Sequence, residues 1–266
     1  MSESRESLQI TGEPSVPRPG LKLRAGSIFI WSFICLSCPF FFVGAVIVFL
    51  STVLFDRRRV AQHLYSCFWA ATYVYMSPLW HLEVAGRNKL PWRGPAVLVA
   101  NHASLIDILV LFALYRPYKW VSKKENFKVP FIGWNMTLND YVPLVRGDRG
   151  SVEAMMERCR KLLQLGCPVL IFPEGTRTKT GELQPFKDGA FRLAFETKTR
   201  VIPIAVHGTG AALPKHGFIL RQRMDARVEV LEAIDPANFT TMEALRDATR
   251  DTIAQALAGD PNLVAT

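Results

Sequence analysis

The chain contains few cysteines, and they form no regular framework. Five of its 266 residues are cysteine, and an odd number at irregular spacing argues against a disulfide scaffold. Cys35 and Cys38 form a C-x-x-C pair, but they lie in an apolar run without a second ligand pair, so we interpret them as small apolar filler. We therefore expect reduced thiols and a globular part that faces the cytosol. Because clusters of metal-ligating residues are also lacking, we expect no metal ion.

Signatures of nucleic-acid binding are lacking too, although the chain is basic. Its net charge of +9 admits either nucleic acid or an anionic surface as a partner. No zinc-finger spacing or RNA-binding signature occurs among the basic residues. Instead, basic residues flank a long apolar segment, which favours anionic lipid headgroups over nucleic acid. They are Arg18, Lys22 and Arg24 before the segment and Arg57, Arg58 and Arg59 after it.

That apolar segment, Ser27 to Phe55, contains no charged residue. A signal peptide would have a shorter apolar core nearer the N-terminus, so we expect no processing. As one straight helix the segment would be ~44 Å long, against a hydrocarbon core of ~30 Å. Pro39 lies near its middle and would kink or break such a helix. The segment could therefore cross the membrane once with a tilt, or bend at Pro39 and return to the same face. We favour the bend.

The flanking stretches complete an N-terminal membrane region. Residues 1–26 are predicted to form a polar, flexible tail. Residues from Val60 to Leu82 are rich in Tyr and Trp, which prefer the headgroup level of a bilayer. We predict an interfacial helix that packs on the apolar segment, so that residues 27–81 form the membrane-embedded and interfacial part. The alternative is an ordinary buried helix of the globular domain.

Residues 82–258 alternate short apolar runs with helical stretches, which is typical of a single α/β domain with a mainly parallel or mixed sheet flanked by helices. A short tail, 259–266, follows. The predicted strands are Leu82–Ala85, Ala96–Ala100, Lys119–Ser122, Tyr141–Val145, Val169–Phe172, Val201–Val206 and Arg227–Ala233. The predicted helices span 104–115, 150–165, 187–198 and 242–257. In such sheets the strand ends are the expected places for chemistry.

The stretch from Val97 to Asp107 places a histidine directly after a buried strand. His102 lies in the strand-to-helix turn, and Asp107 falls in the first turns of the next helix. A carboxylate that binds one ring nitrogen would leave the other free to take a proton from an alcohol. Asp107 has an equally good structural explanation, because Ser104 and Asp107 also form a capping-box-like pattern. Local sequence does not separate the two roles.

A covalent nucleophile is not recognisable in the chain. No G-x-S-x-G nucleophile elbow occurs, and no cysteine lies beside a plausible base. Ser104 lies close to His102 but is better explained as a helix cap. We therefore expect no covalent enzyme intermediate.

Taken together, four blocks resemble the glycerolipid acyltransferase superfamily. Asn101–Asp107 matches its N-H-x4-D signature, and Phe172–Arg177 matches its F-P-E-G-T-R signature. Lys123–Gly133, continuing to Arg146, is similar to the intervening block, and Val201–Val206 to the fourth, proline-containing block. Order and spacing agree from about Leu82 to Ile234. The likeness is greatest to bacterial 1-acylglycerol-3-phosphate acyltransferases.

The resemblance implies a role for each matching position. His102 would be the general base and Asp107 its partner. The acceptor phosphate would be bound by Arg177, with Glu174, Gly175 and Thr176 shaping the turn, and Arg146 and Lys124 are further candidates for substrate phosphates. Asp140 stands where the family often has a small residue, which weakens the assignment of Arg146.

The implied reaction is transfer of a fatty acyl group from coenzyme A or acyl-carrier protein to a lysophospholipid hydroxyl. The implied acceptor is 1-acylglycerol 3-phosphate. No cofactor is implied, and the implied location is the inner (cytoplasmic) membrane, with the catalytic domain on the cytosolic side. Other lyso-lipids, such as lyso-ornithine lipid, and glycerol 3-phosphate stay open as acceptors. A non-catalytic lipid-binding protein and a lipid hydrolase are the alternatives from other classes.

Overall fold

A seven-stranded mixed sheet forms the centre of the α/β domain. The computed structural model of the chain describes residues 20–77, 80–178, 181–213 and 223–259. The strands, in chain order, are β1 (Trp80–Ala85), β2 (Val97–Ala100), β3 (Lys119–Lys123), β4 (Val142–Leu144), β5 (Val169–Ile171), β6 (Val201–His207) and β7 (Met224–Val230). Each predicted strand is present, with bounds shifted by at most three residues. The predicted fold class is confirmed.

Strand direction divides the sheet into two parts. The spatial order is β1-β7-β6-β2-β5-β3-β4. The five strands from β6 to β4 are all parallel to one another. Strand β7 runs antiparallel to β6, and β1 runs parallel to β7. The carboxyl ends of five strands therefore lie along one edge of the sheet, where side chains from distant parts of the sequence can meet.

Helices cover the sheet, and four of them correspond to predicted ones. The described residues form α1 (Leu21–Thr52), α2 (Val60–Tyr75), α3 (Ile106–Phe112), α4 (Ile132–Leu138), α5 (Arg149–Gln164), α6 (Gly189–Thr197), α7 (Thr209–Ala212) and α8 (Met242–Ala258). Helices α3, α5, α6 and α8 correspond to the four predicted helical segments 104–115, 150–165, 187–198 and 242–257. Helices α4 and α7 were not predicted, and the four residues of α7 are too few to show a helical period.

Both faces of the sheet are buried, which explains the continuous apolar runs of its central strands. Successive residues of β2 point to opposite faces. Val97 and Val99 pack in a core with buried residues of α5, α6 and α8. Leu98 and Ala100 pack in a second core with residues of α3 and β7, and part of α1 packs against that second core. The sheet is thus a rigid platform for the loops at its edge.

Helix α1 runs without interruption through Pro39, so the predicted bend at that residue is wrong. It contains 32 residues and begins at Leu21, six residues before the predicted apolar segment. Proline removes one backbone donor, but an apolar helix tolerates it where a neighbouring helix lends support. Next to Pro39, the hydroxyl of Ser37 lies 2.9 Å from that of Tyr73 in α2. At 1.5 Å per residue, α1 is ~48 Å long.

Length and composition make α1 suitable for a membrane. Within the described residues it is the one helix long and apolar enough to cross a bilayer, and most of its surface is exposed. Its exposed large apolar side chains include Phe29, Leu36, Phe40, Ile47 and Leu50. Residues 1–19 of the predicted N-terminal tail, and residues 260–266 of the predicted C-terminal tail, lie outside the described part of the chain.

Helix α2 connects α1 to the α/β domain. On one side, the Trp69 ring stacks on Phe41 of α1 at 5.4 Å between ring centroids. On the other side, polar residues are buried against the domain: Gln62 Nε2 donates to Asn135 Oδ1 at 2.9 Å, and Ser66 Oγ accepts from Asn139 Nδ2 at 2.9 Å. A helix that only lay at a membrane interface would not need such buried partners. Helix α2 therefore also has the packing of a buried domain helix, the alternative considered above.

His63 lies at the centre of this contact between α2 and the domain. It is 1% exposed, and its Nδ1 lies 2.7 Å from the hydroxyl of Tyr141. The rings of Phe112, Tyr118 and Tyr141 surround the imidazole. Burial, together with the charge of Lys119, lowers the pKa of His63 to about 3. The imidazole is therefore neutral in the folded protein, whereas it can be protonated in the unfolded chain.

We predict that His63 makes folding sensitive to mild acid. Below the unfolded pKa of ~6.5 the unfolded chain binds a proton that the folded protein does not, so stability rises with pH between about 3 and 6.5. Between pH 7 and pH 5 this one group should lower the free energy of unfolding by about 2 kcal/mol. Urea unfolding in detergent at both pH values, for wild type and His63→Asn, measures the difference.

A matched control for this prediction is His81→Asn, because His81 is exposed. The His63 variant should lose most of the pH dependence that the His81 variant keeps. Equal pH dependence in all three proteins would show that His63 takes up its proton without unfolding.

Candidate functional site

The predicted site residues come together at the carboxyl edge of the parallel strands. His102 follows β2, and Glu174 to Arg177 follow β5. Lys124 follows β3, and Arg146 follows β4. Because neighbouring parallel strands end at the same edge, these four segments of the sequence converge there.

His102 and Asp107 form the pair that the sequence suggested. The Nδ1 atom of His102 lies 2.8 Å from Oδ2 of Asp107. Since an ionised carboxylate only accepts hydrogen bonds, the proton of the neutral ring lies on Nδ1. The carboxylate is fully buried, whereas the imidazole keeps 11% of its side-chain surface exposed. The second nitrogen, Nε2, has no hydrogen-bond partner among the described residues and is not fully buried.

Asp107 is a helix cap and a partner of His102 at the same time. Its Oδ2 accepts hydrogen bonds from the backbone N–H groups of Ala103 at 2.7 Å and Ser104 at 2.8 Å. The Ser104 hydroxyl accepts in return from the N–H of Ile106 at 3.3 Å. The bond from the Ser104 N–H to the carboxylate is the one a capping box requires, but the hydroxyl accepts from the N–H two residues on and not from that of Asp107. One carboxylate therefore bonds both to the backbone at the start of α3 and to the imidazole of His102.

The loop after β5 holds the backbone of His102 from both sides. Glu174 Oε1 accepts from the N–H of His102 at 2.6 Å, and the N–H of Thr178 donates to the carbonyl of His102 at 3.0 Å. The ring of Phe172 stacks on the imidazole, with 4.0 Å between centroids and 12° between planes. Together with the Asp107 bond, these contacts leave the ring little freedom. The F-P-E-G-T-R block therefore positions the histidine itself.

The carboxylate of Glu174 bonds to the protein backbone and not to the open side of the site. It is 4% exposed, and its second oxygen accepts from the N–H of Gln184 at 3.1 Å. Burial and the nearby negative charge of Asp107 raise the pKa of Glu174, while the hydrogen bonds from His102 and Gln184 oppose that rise. Both oxygens are engaged by backbone donors, so the structure shows Glu174 as a brace for His102.

Gly175, Thr176 and Arg177 form the exposed part of the same loop. Gly175 adopts φ +70°, a left-handed conformation that favours glycine. Thr176 is exposed and Arg177 is half-buried. The side chain of Lys187 packs over Gly175, since a β-carbon built there would lie 2.8 Å from its Nζ. Lys187 was not predicted as a site residue. It lies ten residues beyond Arg177, with no local pattern to mark it.

Lys124 and Arg146 lie at the outer end of the same edge. Both are exposed, and neither forms an ion pair with another described residue. Asp140, the departure from the family pattern, has φ +59°, and its carboxylate pairs with Arg158. Aspartate is among the few residues that tolerate this conformation. Asp140 thus has its own local partner in Arg158.

Thr209 also contacts the pair of His102 and Asp107, and no local pattern predicted this contact. The hydroxyl of Thr209, directly after β6, donates to Oδ1 of Asp107. Thr209 is 1% exposed. It lies 102 residues from Asp107 along the chain, so only the pairing of β6 with β2 brings them together.

Fold and site together define an acyltransferase, since an acyltransferase family model matches residues 81–207, the range that contains His102, Asp107 and Arg177. A 1-acyl-sn-glycerol-3-phosphate acyltransferase of Chlamydomonas reinhardtii is 37% identical over 262 residues, which is 97% of this chain and 77% of that protein. The corresponding chloroplastic enzyme LPAT1 of Arabidopsis thaliana is 35% identical over 93% of this chain and 69% of its own length.

A bacterial relative and a solved structure agree with these matches. The 1-acyl-sn-glycerol-3-phosphate acyltransferase of Pseudomonas aeruginosa is 29% identical over 70% of this chain and 72% of that protein. The crystal structure of the 1-acyl-sn-glycerophosphate acyltransferase PlsC from Thermotoga maritima shares the fold, with a TM-score of 0.74 at 22% identity over 92% of this chain and 98% of that chain. The chain therefore belongs to the 1-acyl-sn-glycerol-3-phosphate acyltransferase family and is an O-acyltransferase.

Proposed function

We propose that this protein transfers a fatty acyl group from an acyl thioester to the free hydroxyl of 1-acyl-sn-glycerol 3-phosphate, giving phosphatidic acid. The observation that carries the proposal is the 2.8 Å contact between His102 Nδ1 and Asp107 Oδ2, which leaves the other ring nitrogen without a partner among the described residues. A base held in one tautomer suits an alcohol acceptor. The names of the relatives, bacterial and chloroplastic, support 1-acyl-sn-glycerol 3-phosphate as that acceptor.

In the proposed reaction His102 moves a proton twice. Its Nε2 takes the proton from the acceptor hydroxyl while the hydroxyl oxygen attacks the thioester carbonyl carbon. Asp107 stabilises the imidazolium that forms. The tetrahedral intermediate then collapses, the C–S bond breaks, and the imidazolium returns the proton to the leaving thiolate. The products are the new ester and the free thiol of coenzyme A or acyl-carrier protein.

A covalent acyl-enzyme plays no part in this mechanism. Ser104, the hydroxyl nearest to His102 in sequence, is fully buried. Its Oγ donates to the carbonyl of Leu213 at 2.9 Å and accepts from the N–H of Ile106. A hydroxyl with both functions occupied in the core is unsuited to attack a bound thioester, which supports direct transfer.

We further propose that the acceptor phosphate binds at Arg177. Arginine presents a planar fork that matches two phosphate oxygens. Lys187 adds a second positive charge against the same turn, where it packs over Gly175. Lys124 and Arg146 lie farther out along the edge and suit the phosphates of the thioester donor. Arg177, Lys124 and Arg146 each follow a strand that ends at the same edge of the sheet as β2.

The proposed setting is one leaflet of the cytoplasmic membrane, with the domain on the cytosolic side. Helices α1 and α2 form an antiparallel hairpin, and α1 packs against the domain from Ile30 to Phe42. Because the domain packs against this part of α1, we infer that α1 and α2 lie in one leaflet. An apolar cavity of about 230 Å³ between Phe29, Phe33, Tyr73 and Trp80 would suit an acyl chain.

The test is an acceptor panel with both donor types. The purified full-length protein in detergent is supplied with acyl-coenzyme A or acyl-carrier protein. The acceptors are 1-acyl-sn-glycerol 3-phosphate, other lysophospholipids, lyso-ornithine lipid and glycerol 3-phosphate. Mass spectrometry identifies the lipid formed, and His102→Ala gives the background. We expect phosphatidic acid as the main product.

The other outcomes separate the alternatives. If another acceptor gives as much product as 1-acyl-sn-glycerol 3-phosphate or more, that lipid is the preferred acceptor. Free fatty acid released at the same rate without any acceptor would indicate a hydrolase. Binding of lysophosphatidate by folded protein without product from any pair would indicate a lipid-binding protein, and activity retained by His102→Ala would overturn the mechanism.

A further inference from the structure

The turn after β6 brings an uncharged hydroxyl to the catalytic carboxylate. Gly208 adopts φ +75°, and a β-carbon there would lie 1.9 Å from the carbonyl oxygen of Asp225. The chain can therefore pass this point only with glycine. The turn places Thr209 at the start of α7 and directs its hydroxyl to Oδ1 of Asp107.

The two oxygens of Asp107 have different partners. Oδ2 accepts from Nδ1 of His102 and from the backbone N–H groups of Ala103 and Ser104. Oδ1 accepts from Thr209, and the described residues supply no other donor to it. Asp107 is 0% exposed, so water does not replace a missing donor. A buried carboxylate oxygen without a donor would be costly, and the Thr209 hydroxyl removes that cost.

The loop that carries Thr209 is fixed to the histidine motif at two more points. The side chain of Asn101 donates from Nδ2 to the carbonyl of Val206 at 2.9 Å and accepts from the N–H of Val206 at 2.8 Å. The hydroxyl of Ser104 donates to the carbonyl of Leu213 at 2.9 Å. These contacts precede and follow Thr209, so its backbone is held in place relative to Asp107.

We propose that Thr209 is a positioning residue of the transfer reaction, which holds the Asp107 carboxylate in the orientation that His102 requires. The inference rests on the proposed function, because it assumes that His102 is the base. With Oδ1 held by Thr209, the carboxylate plane is set and Oδ2 stays directed at Nδ1. The Thr209 hydroxyl also stabilises the negative charge of Asp107. This stabilisation is greater when His102 is neutral, because a protonated His102 already balances the charge of the carboxylate.

The test compares Thr209→Val, which keeps the shape and removes the hydroxyl, with Thr209→Ser, which keeps the hydroxyl. We expect Val to lower kcat by about 10- to 30-fold with little change in either KM, and Ser to stay within about threefold of wild type. The acid limb of the kcat/KM profile should move to higher pH by about half a unit to one unit in the Val variant. Glu174, the other carboxylate facing the pair, is kept in every variant.

Thr249→Val is the matched control. Thr249 is also fully buried, and its hydroxyl donates to the carbonyl of Leu245 at 2.7 Å within α8, away from the site. It should lose stability without changing kcat or the pH profile. Melting curves show whether each variant is folded at the assay temperature.

Each outcome points to one conclusion. Folded Thr209→Val with wild-type kcat and pH profile, beside an inactive His102→Ala, would overturn the role of Thr209 alone. Activity in His102→Ala would overturn the proposed function first. A kcat loss in Thr209→Val that Ser does not restore would show that the loss comes from packing and would likewise overturn the inference.

Discussion

Replacing Asp107 with asparagine is expected to lower kcat/KM by about 10²- to 10⁴-fold while the protein stays folded. The amide oxygen can take the position of Oδ2, where it accepts from His102 and from the backbone N–H groups of Ala103 and Ser104. The amide NH₂ then faces Thr209, whose hydroxyl can turn to accept. The capping contacts survive, but the negative charge that stabilises the imidazolium is lost.

Stability should fall much less than activity in this variant. Neutral hydrogen bonds replace charge-assisted ones, which should lower the free energy of unfolding by about 1–2 kcal/mol. Asp235→Asn is the control, because the Asp235 carboxylate also accepts from a backbone N–H, that of Ala237 at 2.9 Å, at an exposed turn. Steady-state kinetics and urea unfolding on both variants separate the two effects. Normal turnover with lowered stability in Asp107→Asn would leave capping as its sole role.

The parts of the fold that depend on local pattern were predictable from sequence. All seven strands were predicted. A strand that is buried on both faces has an apolar run as its sequence, as in Val97–Ala100 and Val169–Ile171. The pair of His102 and Asp107 was also predictable, since five residues of chain span a strand-to-helix turn. What sequence could not decide was whether Asp107 caps or pairs, because both roles use the same side chain at the same position.

The missed features depend on contacts between distant segments. Thr209 reaches Asp107 only through the pairing of β6 with β2, and Glu174 reaches the backbone of His102 only because β5 lies beside β2. The prediction at Pro39 was wrong for a similar reason. A proline in isolation suggests a break, but the packing of Tyr73 and its neighbours in α2 against α1 supports a continuous helix. Pattern alone contains no information on such support.

Substituting Arg177 with methionine is expected to raise the acceptor KM by about 30- to 100-fold with a small change in kcat. Arg177 lies between Glu174 and Thr178, which bond to the backbone of His102, so the backbone from which its side chain extends is held close to the base. A charged group that binds the acceptor equally in the ground state and the transition state changes KM and leaves kcat nearly unchanged. Arg177→Lys should recover part of the loss, because lysine keeps the charge without the fork.

The acceptor itself supplies the sharpest control for this prediction. An acceptor that keeps the glycerol hydroxyl and acyl chain but lacks the phosphate has nothing for Arg177 to bind. Arg177→Met and wild type should therefore use it at the same low rate, and the donor KM should be equal in both. Arg192→Met, which removes an arginine from α6 that pairs with Glu196 at 3.6 Å, should match wild type with every substrate. Only a contact with the phosphate can distinguish the two acceptors. If Arg177→Met is impaired equally with the acceptor that has the phosphate and with the one that lacks it, the guanidinium supports the loop and does not bind the acceptor.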